Sequence, residues 1–489
     1  MSPGTTSTGV ERSARSSRRT AKGSRFTALR QGLTAWLGRP LASFHLLLAV
    51  FGLLAVIGLV MVLSASAVQD AQKTTLSSFG KPMLLDALGL IGFYLGLRVP
   101  LRWLRQFSPT LLLIAAGLLA LVLTPLGSGA NGREHSWFTL GSLSFQPVEL
   151  AKVALALWGA HVLVTKRALL TQYRHLLVPL VPVSMVLFAL IMLQPDLGST
   201  VSLGIVLLAL LWYVGAPMRL FAVVLGSATA AVIVSSIGSG YRNTRLTVFL
   251  NPDSDPLGAG QQPLQALYAL ADGGLFGRGL GQGAAKFNYL SNVQNDFIFA
   301  LIGEELGFIG AIVVLGLFGM LAVVGLRIAA RNTDPWIRLV ASALTAWIVG
   351  QAAINVGYVI GLLPVTGITL PLISAGGTSI VITMMAFGIL ANCARNEPDA
   401  VAALRSLGPG RVGGLLRLPA PEPYRPPARR KPVRPSTPPR GAARTGGSRA
   451  AAPSPEERRR VHRSAPPTEY RRRSAWRSGH GRSTEGGRR

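Results

Sequence analysis

Acidic residues are scarce in this 489-residue chain, which contains 20 Asp and Glu against 49 Lys and Arg, and only 14% of its residues are charged. The basic excess lies mainly at the two ends. Residues 1–40 hold 8 basic residues against 1 acidic residue, and residues 401–489 hold 22 against 5. The central stretch is therefore almost neutral, which excludes a highly charged soluble domain there and is typical of membrane-spanning segments.

Cysteine is almost absent as well. The single residue of this type, Cys393, excludes an intramolecular disulfide and argues against a cysteine-based metal site. The sequence does not identify metal-ligating residues of any other type.

Ten apolar runs occupy the central stretch, and many are near the roughly 20 residues that cross a bilayer as a helix. We therefore predict an all-α polytopic membrane protein with about ten transmembrane helices. The predicted spans are 44–66, 82–97, 109–126, 149–165, 176–193, 198–215, 218–238, 297–326, 337–361 and 376–394.

The distribution of arginine and lysine predicts the orientation, because cytoplasmic loops retain basic residues. Both tails are basic, and so are alternate connections, for example at Arg98, Arg167 and Arg331. Both termini of this multi-pass protein of the cytoplasmic (inner) membrane are therefore expected in the cytoplasm, with the loops after the odd-numbered spans outside.

Three parts are predicted: a basic N-terminal tail at 1–43, a membrane domain at 44–395 with a large external loop at 239–296, and a disordered tail at 396–489. From Pro419 onward, Pro, Arg, Gly and Ser dominate, and such a composition buries too little apolar surface to fold. Anionic lipids are the favoured partners of the tails, ahead of a docking protein, and no nucleic acid is expected.

Polar residues at the start of the fourth predicted span form a first motif. Pro147 suits a first helical turn, and Glu149 and Lys152, three residues apart, share one helix face and can pair. A helix cap with a snorkelling lysine is the alternative. Trp137, in the preceding loop, would on its own suit an interfacial aromatic belt.

A second motif, with Gln194 and Asp196, lies at a tight break between the fifth and sixth predicted spans. An acid this close to hydrocarbon needs a cationic partner, and Lys152 is the nearest candidate by residue type. Alternatively, Asp196 caps the sixth span.

The long connection at 239–296 is the external segment large enough to build a site. It carries Arg242, Arg245 and Lys286, and a glycine-dense stretch at 273–283 that we interpret as allowing the backbone to approach a bulky ligand. Asp296 stands at the entry of the eighth span, with Glu304 and Glu305 deeper in it.

The apolar connection at 361–379 contains Ser374 and several Pro and Gly residues. This composition suggests a re-entrant hairpin buried in protein at membrane depth, with a simple packed loop as the alternative.

Four long motifs, QPVELAK, LQPDLGS, NDFIFALIGEELGFIG and LLPVTGITLPLISAGGTS, occur in this order. In these motifs the chain resembles the FtsW/RodA family, also called the SEDS proteins, over residues 44–395. ISAGGTS followed by GILANCARNEP, with the long basic tail, is similar to the division-type FtsW branch of actinobacteria more than to the elongation-type RodA branch.

The resemblance implies an inverting glycosyltransferase that polymerises lipid II into glycan strands at the outer face of the membrane, at the division septum, and releases undecaprenyl pyrophosphate. It implies a class B penicillin-binding protein transpeptidase as partner, with other division proteins. The family's essential aspartate corresponds to Asp296, and its other motif residues to Trp137, Glu149, Lys152 and Asp196.

The implied reaction requires a carboxylate base for the acceptor hydroxyl and a cationic clamp for the leaving pyrophosphate. We assign the base to Asp296 and the clamp to Arg242, Arg245 and Lys286, with a divalent cation, Mg or Mn, as an optional helper. The remaining predicted substrate-binding residues are Trp137, Glu149, Lys152, Gln194, Asp196, Glu304 and Ser374. Departures from the family pattern at Ser136, Ser291 and Gln294 leave the roles of the family's neighbouring Arg and His positions open.

A lipid II flippase is the principal alternative, since intramembrane charges can also line a translocation path. Against it, interrupted segments do not recur at matching positions in two halves, and the polar motifs lie on one face. A structural scaffold for division proteins would leave the buried acids unexplained.

Overall fold

The structure of the protein is a computed structural model. It describes residues 38–69, 75–127, 136–140, 143–167, 177–224, 226, 248–251, 254–256, 258–284 and 293–424.

Helices dominate these residues. In chain order the elements are α1 (Ala42–Gln69), α2 (Thr75–Arg98), α3 (Leu101–Leu121), β1 (Phe138–Leu140), β2 (Leu143–Phe145), α4 (Pro147–Thr165), α5 (Leu180–Met192), α6 (Leu197–Val214), α7 (Gln261–Gly273), α8 (Ile298–Arg331), α9 (Pro335–Val359), α10 (Thr378–Arg395), α11 (Pro398–Ser406) and α12 (Gly410–Leu415). The antiparallel hairpin of β1 and β2, with Phe138 opposite Phe145, was not predicted from the sequence.

Eight helices, namely α1, α2, α3, α4, α6, α8, α9 and α10, are long and apolar enough to cross a membrane. They correspond to eight of the ten predicted spans, which confirms the all-α polytopic fold. The fifth predicted span, 176–193, is the shorter 13-residue helix α5. The seventh, 218–238, falls mostly outside the described residues.

Three helices form the interior of the bundle. The most apolar segments of α10, α9 and α4 are 83%, 72% and 67% buried, whereas that of α3 is 22% buried. On α3, Leu113 and Ile114 are exposed, as expected of a helix surface that faces lipid. Polar residues on α4 and α9 are thus held by the most enclosed helices.

Glycine allows α2 and α10 to approach closely. A Cβ atom on Gly388 would lie 2.1 Å from the carbonyl oxygen of Phe93, and one on Gly96 would lie 2.5 Å from that of Met385. Small residues of this kind let two helices pack backbone against backbone in a membrane.

The glycine-dense stretch after α7 fills a break in α8. Gly307 has a positive φ of 68°, which interrupts the helix. Backbone hydrogen bonds from Arg278 to Glu304 (2.9 Å) and from Phe308 to Gly274 (2.9 Å) join the two segments there. A Cβ on Gly277 would lie 2.3 Å from the Glu305 carbonyl oxygen. Gly277 and Gly307 are therefore required for backbone packing, and the interpretation of the glycine-dense stretch as a ligand approach stays a prediction.

Residues 396–424 correct the predicted tail boundary. This stretch was expected to be disordered, but it forms α11 and α12 and packs on the bundle. Arg331, at the end of α8, pairs with Asp399 and lies 3.5 Å from Glu397, and Leu418 is buried. Burial raises the pKa of Glu397, while its Ser43 hydrogen bond and the nearby arginines lower it. The proline-rich composition that indicated disorder begins only after the buried leucine. Residues 425–489 lie outside the described part of the chain.

Replacing Gly388 with alanine is expected to lower the melting temperature, because the new methyl group would overlap the Phe93 carbonyl and force α2 and α10 apart. Overpacking of this kind costs about 1–3 kcal/mol. The matched control is Gly117→Ala on α3, where a Cβ meets no atom within 4 Å and should be neutral or slightly stabilising. Thermal unfolding in detergent measures both variants, and equal melting temperatures would contradict the close packing.

Truncation before Pro398 is expected to destabilise the membrane domain, because it removes Asp399 and Leu418 from their contacts with the bundle. Burial of a leucine alone is worth about 1.5–3 kcal/mol. Truncation after Tyr424 keeps all of these contacts and serves as the control. If both truncated proteins unfold at the temperature of the full chain, residues 398–424 do not support the fold.

Candidate functional site

A polar cavity of about 940 Å³ lies between α1, α2, α4, α6, α9 and the irregular segment at 361–377, called here the α9–α10 connection. Two lysines, four carboxylates and several amides line it. The charged residues are Lys81, Asp86, Glu149, Lys152, Asp196 and Asp296, and the amides are Gln146, Gln194, Gln262, Gln294, Asn295 and Gln351. This concentration of polar groups among apolar helices identifies the cavity as the candidate site.

Glu149 and Lys152 form a buried ion pair on the first turns of α4. Pro147 begins the helix, and the two residues of the pair are at positions i and i+3, so that Lys152 Nζ lies 2.9 Å from Glu149 Oε1. Lys152 also donates to Gln351 Oε1 at 3.1 Å and lies 4.8 Å from the Trp347 ring centroid, both on α9. Since Lys152 is 1% exposed, it does not snorkel, and the predicted pairing is confirmed.

The second carboxylate oxygen of Glu149 has a different environment. Oε2 is buried and has no hydrogen-bond partner among the described residues. Buried polar atoms are normally satisfied, so this oxygen at the cavity wall is an acceptor for a water molecule or a ligand hydroxyl.

Asp196 caps the N-terminus of α6 instead of pairing with Lys152. Its Oδ1 accepts a hydrogen bond from the backbone N–H of Ser199 at 2.8 Å, and its Oδ2 accepts one from Gln146 Nε2 at 3.1 Å. An aspartate at this position satisfies free amides and faces the positive end of the helix dipole. The predicted Lys152–Asp196 pairing is therefore wrong, and the capping alternative is correct.

Asp296 stands just before α8, and α9 fixes its backbone. The Asp296 carbonyl oxygen accepts a hydrogen bond from Asn355 Nδ2 at 2.9 Å and lies 2.7 Å from the Tyr358 hydroxyl. The same two groups lie 2.7 Å from the Ile368 carbonyl oxygen, so α9 ties the start of α8 to the α9–α10 connection. The half-buried Asp296 side chain lines the cavity, with Oδ2 3.9 Å from where Gly367 would carry a Cβ.

The α9–α10 connection is irregular backbone that is exposed at Leu362 and Leu363 and buried in the bundle at 370–374, and its predicted re-entrant position at membrane depth stays a prediction. Ser374 Oγ accepts a hydrogen bond from the Leu370 backbone N–H at 2.7 Å, and both residues are buried. The Ala375 N–H donates to the Gln294 carbonyl at 2.9 Å, which anchors the connection beside Asp296. Ser374 therefore stabilises a turn behind the cavity wall and is not one of its lining residues.

Of the remaining predicted site residues, two line the cavity, one lies outside it, and three fall outside the described residues. Trp137 and Gln194 line the cavity, and Gln194 Nε2 donates to the Leu119 carbonyl at 3.2 Å. Glu304 lies outside it, and its Oε1 accepts a hydrogen bond from the Ala284 N–H at 2.6 Å at the end of the glycine-dense stretch. The predicted pyrophosphate clamp, Arg242, Arg245 and Lys286, lies outside the described residues.

Several cavity residues were missed from the sequence, among them Lys81 and Asp86 on α2 and Gln351 on α9. Charged residues within an apolar run were a usable signal for the first two, because lipid excludes them unless they face a cavity. Gln351 carried no such signal, since an amide in a span also occurs at ordinary helix contacts.

The described residues do not form a dedicated metal centre, because no three His, Cys, Asp or Glu side chains come together there. Near Asp296 the protein offers one carboxylate and a few neighbouring amides as metal ligands. These are too few to bind Mg or Mn through protein groups alone.

Comparison with known proteins places this arrangement in a family. The model of the FtsW/RodA/SpoVE family, described as cell cycle proteins, matches residues 44–398. The probable peptidoglycan glycosyltransferase FtsW of Mycobacterium tuberculosis is 52% identical over 396 residues, covering 80% of this chain and 75% of the relative. Stage V sporulation protein E of Bacillus subtilis is 42% identical, covering 72% of this chain and 96% of the relative.

Solved structures agree with this result. A chain of a peptidoglycan synthase complex, solved to study the coordination of polymerisation and crosslinking, matches with a TM-score of 0.59 and 28% identity over 74% of this chain and 99% of that chain. The rod shape determining protein RodA of Thermus thermophilus matches with a TM-score of 0.52 and 26% identity over the same shares.

The geometry predicts that Lys152 is coupled to Glu149 and not to Asp196. Lys152→Met should destabilise the protein strongly, since removal of one partner of a buried pair costs about 3–5 kcal/mol. Adding Glu149→Gln should recover part of this loss, whereas adding Asp196→Asn should give a nearly additive loss. Double-mutant cycles of unfolding measure both couplings, and a larger coupling to Asp196 would contradict the structure.

Proposed function

Since this chain belongs to the FtsW/RodA/SpoVE family, it is a multi-pass membrane peptidoglycan glycosyltransferase, and we propose that the cavity beside Asp296 is where it polymerises lipid II. The observation that carries this proposal is the position of Asp296. Its backbone is fixed by α9, and its carboxylate lies at the wall of a cavity that also holds Lys81 and Lys152.

Asp296 acts as the general base. The hydroxyl of the acceptor sugar attacks the anomeric carbon of the donor, the bond from that carbon to the pyrophosphate oxygen breaks, and configuration inverts. Asp296 takes the hydroxyl proton, and undecaprenyl pyrophosphate leaves with the electron pair of the broken bond. A carboxylate fixed at a cavity wall can accept this proton without reorganising.

The other cavity residues bind and orient the sugars. Glu149 Oε2 offers an acceptor for a sugar hydroxyl, and Lys152 holds its partner carboxylate in place. Trp137 provides an aromatic face at the cavity wall, beside Gly377. Cationic contacts to the pyrophosphate remain assigned to Arg242, Arg245 and Lys286, because carboxylates outnumber lysines among the described cavity residues.

Polymerisation at one end of the bundle is favoured over transport of lipid II. Residues of α4 beyond Lys152, among them Leu155, Leu157 and Ala160, are fully buried and apolar, and Trp336 of α9 donates to the Leu157 carbonyl at 3.2 Å. Between Lys152 and Ala160, α4 therefore offers no polar lining of the kind that a translocation path for a sugar headgroup needs.

The relatives support the proposed partners. The relatives named FtsW support a role in cell division, and the solved peptidoglycan synthase complex supports a class B penicillin-binding protein as the crosslinking partner. We place the protein in the cytoplasmic membrane at the septum, with other division proteins, with both termini in the cytoplasm and the cavity on the outer side, where lipid II sugars are polymerised. The basic excess in the tails supports this orientation and contact of the tails with anionic lipids.

Asp296→Asn is expected to abolish glycan polymer formation while leaving the melting temperature nearly unchanged, because it removes the base but keeps the side-chain volume and the backbone hydrogen bonds. Loss of a general base typically lowers the rate about 100- to 10,000-fold. The assay is a gel of polymer made from labelled lipid II by purified protein, with and without the transpeptidase partner.

Asp272→Asn is the matched control, since Asp272 is a half-exposed acid in a surface pair with Arg278 at 3.1 Å. It should retain full polymer yield. Near-normal turnover by Asp296→Asn, with the partner present, would remove Asp296 as the base.

A further inference from the structure

A second cavity, of about 910 Å³, lies at the opposite end of α2, α4 and α9 from Asp296. Five arginines line it against two carboxylates, Asp334 and Glu422. The arginines are Arg98, Arg102, Arg105, Arg395 and Arg405. We propose that this basic cavity binds the phosphate group of an anionic phospholipid.

Arg395 is the anchor of the proposed site. It is 4% exposed, and its Nη2 donates to the Pro419 carbonyl at 2.9 Å. Among the described residues, no carboxylate oxygen lies within 4 Å of its nitrogen atoms. A guanidinium has five N–H donors, and burial without a counter-charge is costly. A phosphate group supplies the missing negative counter-charge, and its oxygen atoms accept hydrogen bonds from the N–H groups of the guanidinium.

The two carboxylates of the cavity do not neutralise its five arginines. Asp334 uses its Oδ1 to accept the backbone N–H of Trp336, which caps α9. Glu422 pairs with Arg102 at 3.1 Å, but both side chains are largely exposed, so the pair is weak and exchangeable. Most of the arginine charge is therefore not neutralised by the described residues.

The surroundings indicate a lipid rather than a soluble anion. A shallower groove of about 450 Å³ adjoins the cavity, shares Arg98 with it, and is lined by the apolar residues Leu95, Val99 and Leu418. On α3, whose Arg102 and Arg105 line the cavity, Trp103 and Phe107 are exposed and lie edge to face, with ring centroids 6.1 Å apart. Aromatic residues of this kind mark the membrane interface, and basic pockets between transmembrane helices bind lipid headgroups.

The headgroup phosphate would lie between Arg395 and the exposed arginines, with an acyl chain along the groove. An acidic peptide would fit the cavity but would leave its polar backbone against the apolar groove. The proposal does not depend on the polymerase reaction, because none of its residues lines the cavity of Asp296.

The test is native mass spectrometry of the full-length protein in neutral detergent, titrated with dioleoyl phosphatidylglycerol or dioleoyl phosphatidylcholine. We expect the anionic lipid to bind at least about tenfold more tightly than the neutral one. The double variant Arg98→Gln/Arg405→Gln should weaken binding of the anionic lipid about tenfold or more, because two charge-assisted contacts are lost. Arg395→Gln should do the same where it folds.

The matched control is Arg219→Gln/Arg338→Gln, which removes the same charge from two exposed arginines that do not line the cavity. It should bind the anionic lipid like the unmodified protein. If both double variants weaken lipid binding equally, the binding depends on the overall positive charge of the protein and not on this cavity, and the proposal is overturned. Full displacement of the lipid by millimolar inorganic phosphate would indicate a site for a soluble anion, and binding of hexaglutamate in place of the lipid would indicate a site for a partner protein. Either result also overturns it.

Discussion

A charge placed among apolar helices is stable only beside a partner, and the contact of α4 with α9 meets this requirement. Lys152 lies between the carboxylate of Glu149 and the amide of Gln351, over the ring of Trp347. These contacts fix the rotation of both helices about their axes, since a small turn of either would leave an uncompensated charge. With α4 and α9 fixed, the other polar residues of both helices are brought to the same cavity.

Backbone polar groups among apolar helices also need partners. In an apolar environment, a break in a helix persists only where other groups satisfy its free N–H and C=O groups. At Gly307 the glycine-dense stretch supplies them, and before α8 the side chains of Asn355 and Tyr358 do so. Because these two side chains bond the carbonyls of both Asp296 and Ile368, the carboxylate and the α9–α10 connection are positioned together. The site is therefore built from irregular backbone that regular helices hold in place.

Local patterns in the sequence predicted what depends on local interactions. Apolar run length gave eight of the spans, and a spacing of three residues gave the Glu149–Lys152 pair. Asp196 was expected to pair with Lys152, whereas it caps the Ser199 N–H, which the sequence offered as the alternative, and accepts from Gln146, a long-range contact with a residue 50 positions away that the sequence did not indicate. The order of residues 398–424 was missed for a related reason. Its contacts with the bundle include the pair of Asp399 with Arg331, which lies on another helix, and the buried Leu418, and composition alone carries no information about such contacts.

The presence of the ion pair itself needs a reason beyond stability. Replacement of a buried ion pair with well-packed apolar side chains is often neutral or stabilises a protein by about 1–4 kcal/mol. The pair also leaves Glu149 Oε2 without a partner in the described residues, which an apolar core would avoid. A fold that keeps an unfavourable arrangement does so where the arrangement contributes to binding or chemistry, because charges in a dry, rigid wall act on a ligand more strongly than charges in water. The pair lies on the wall of the cavity that also holds Asp296, so its charges can act on the sugar substrate that we propose binds there.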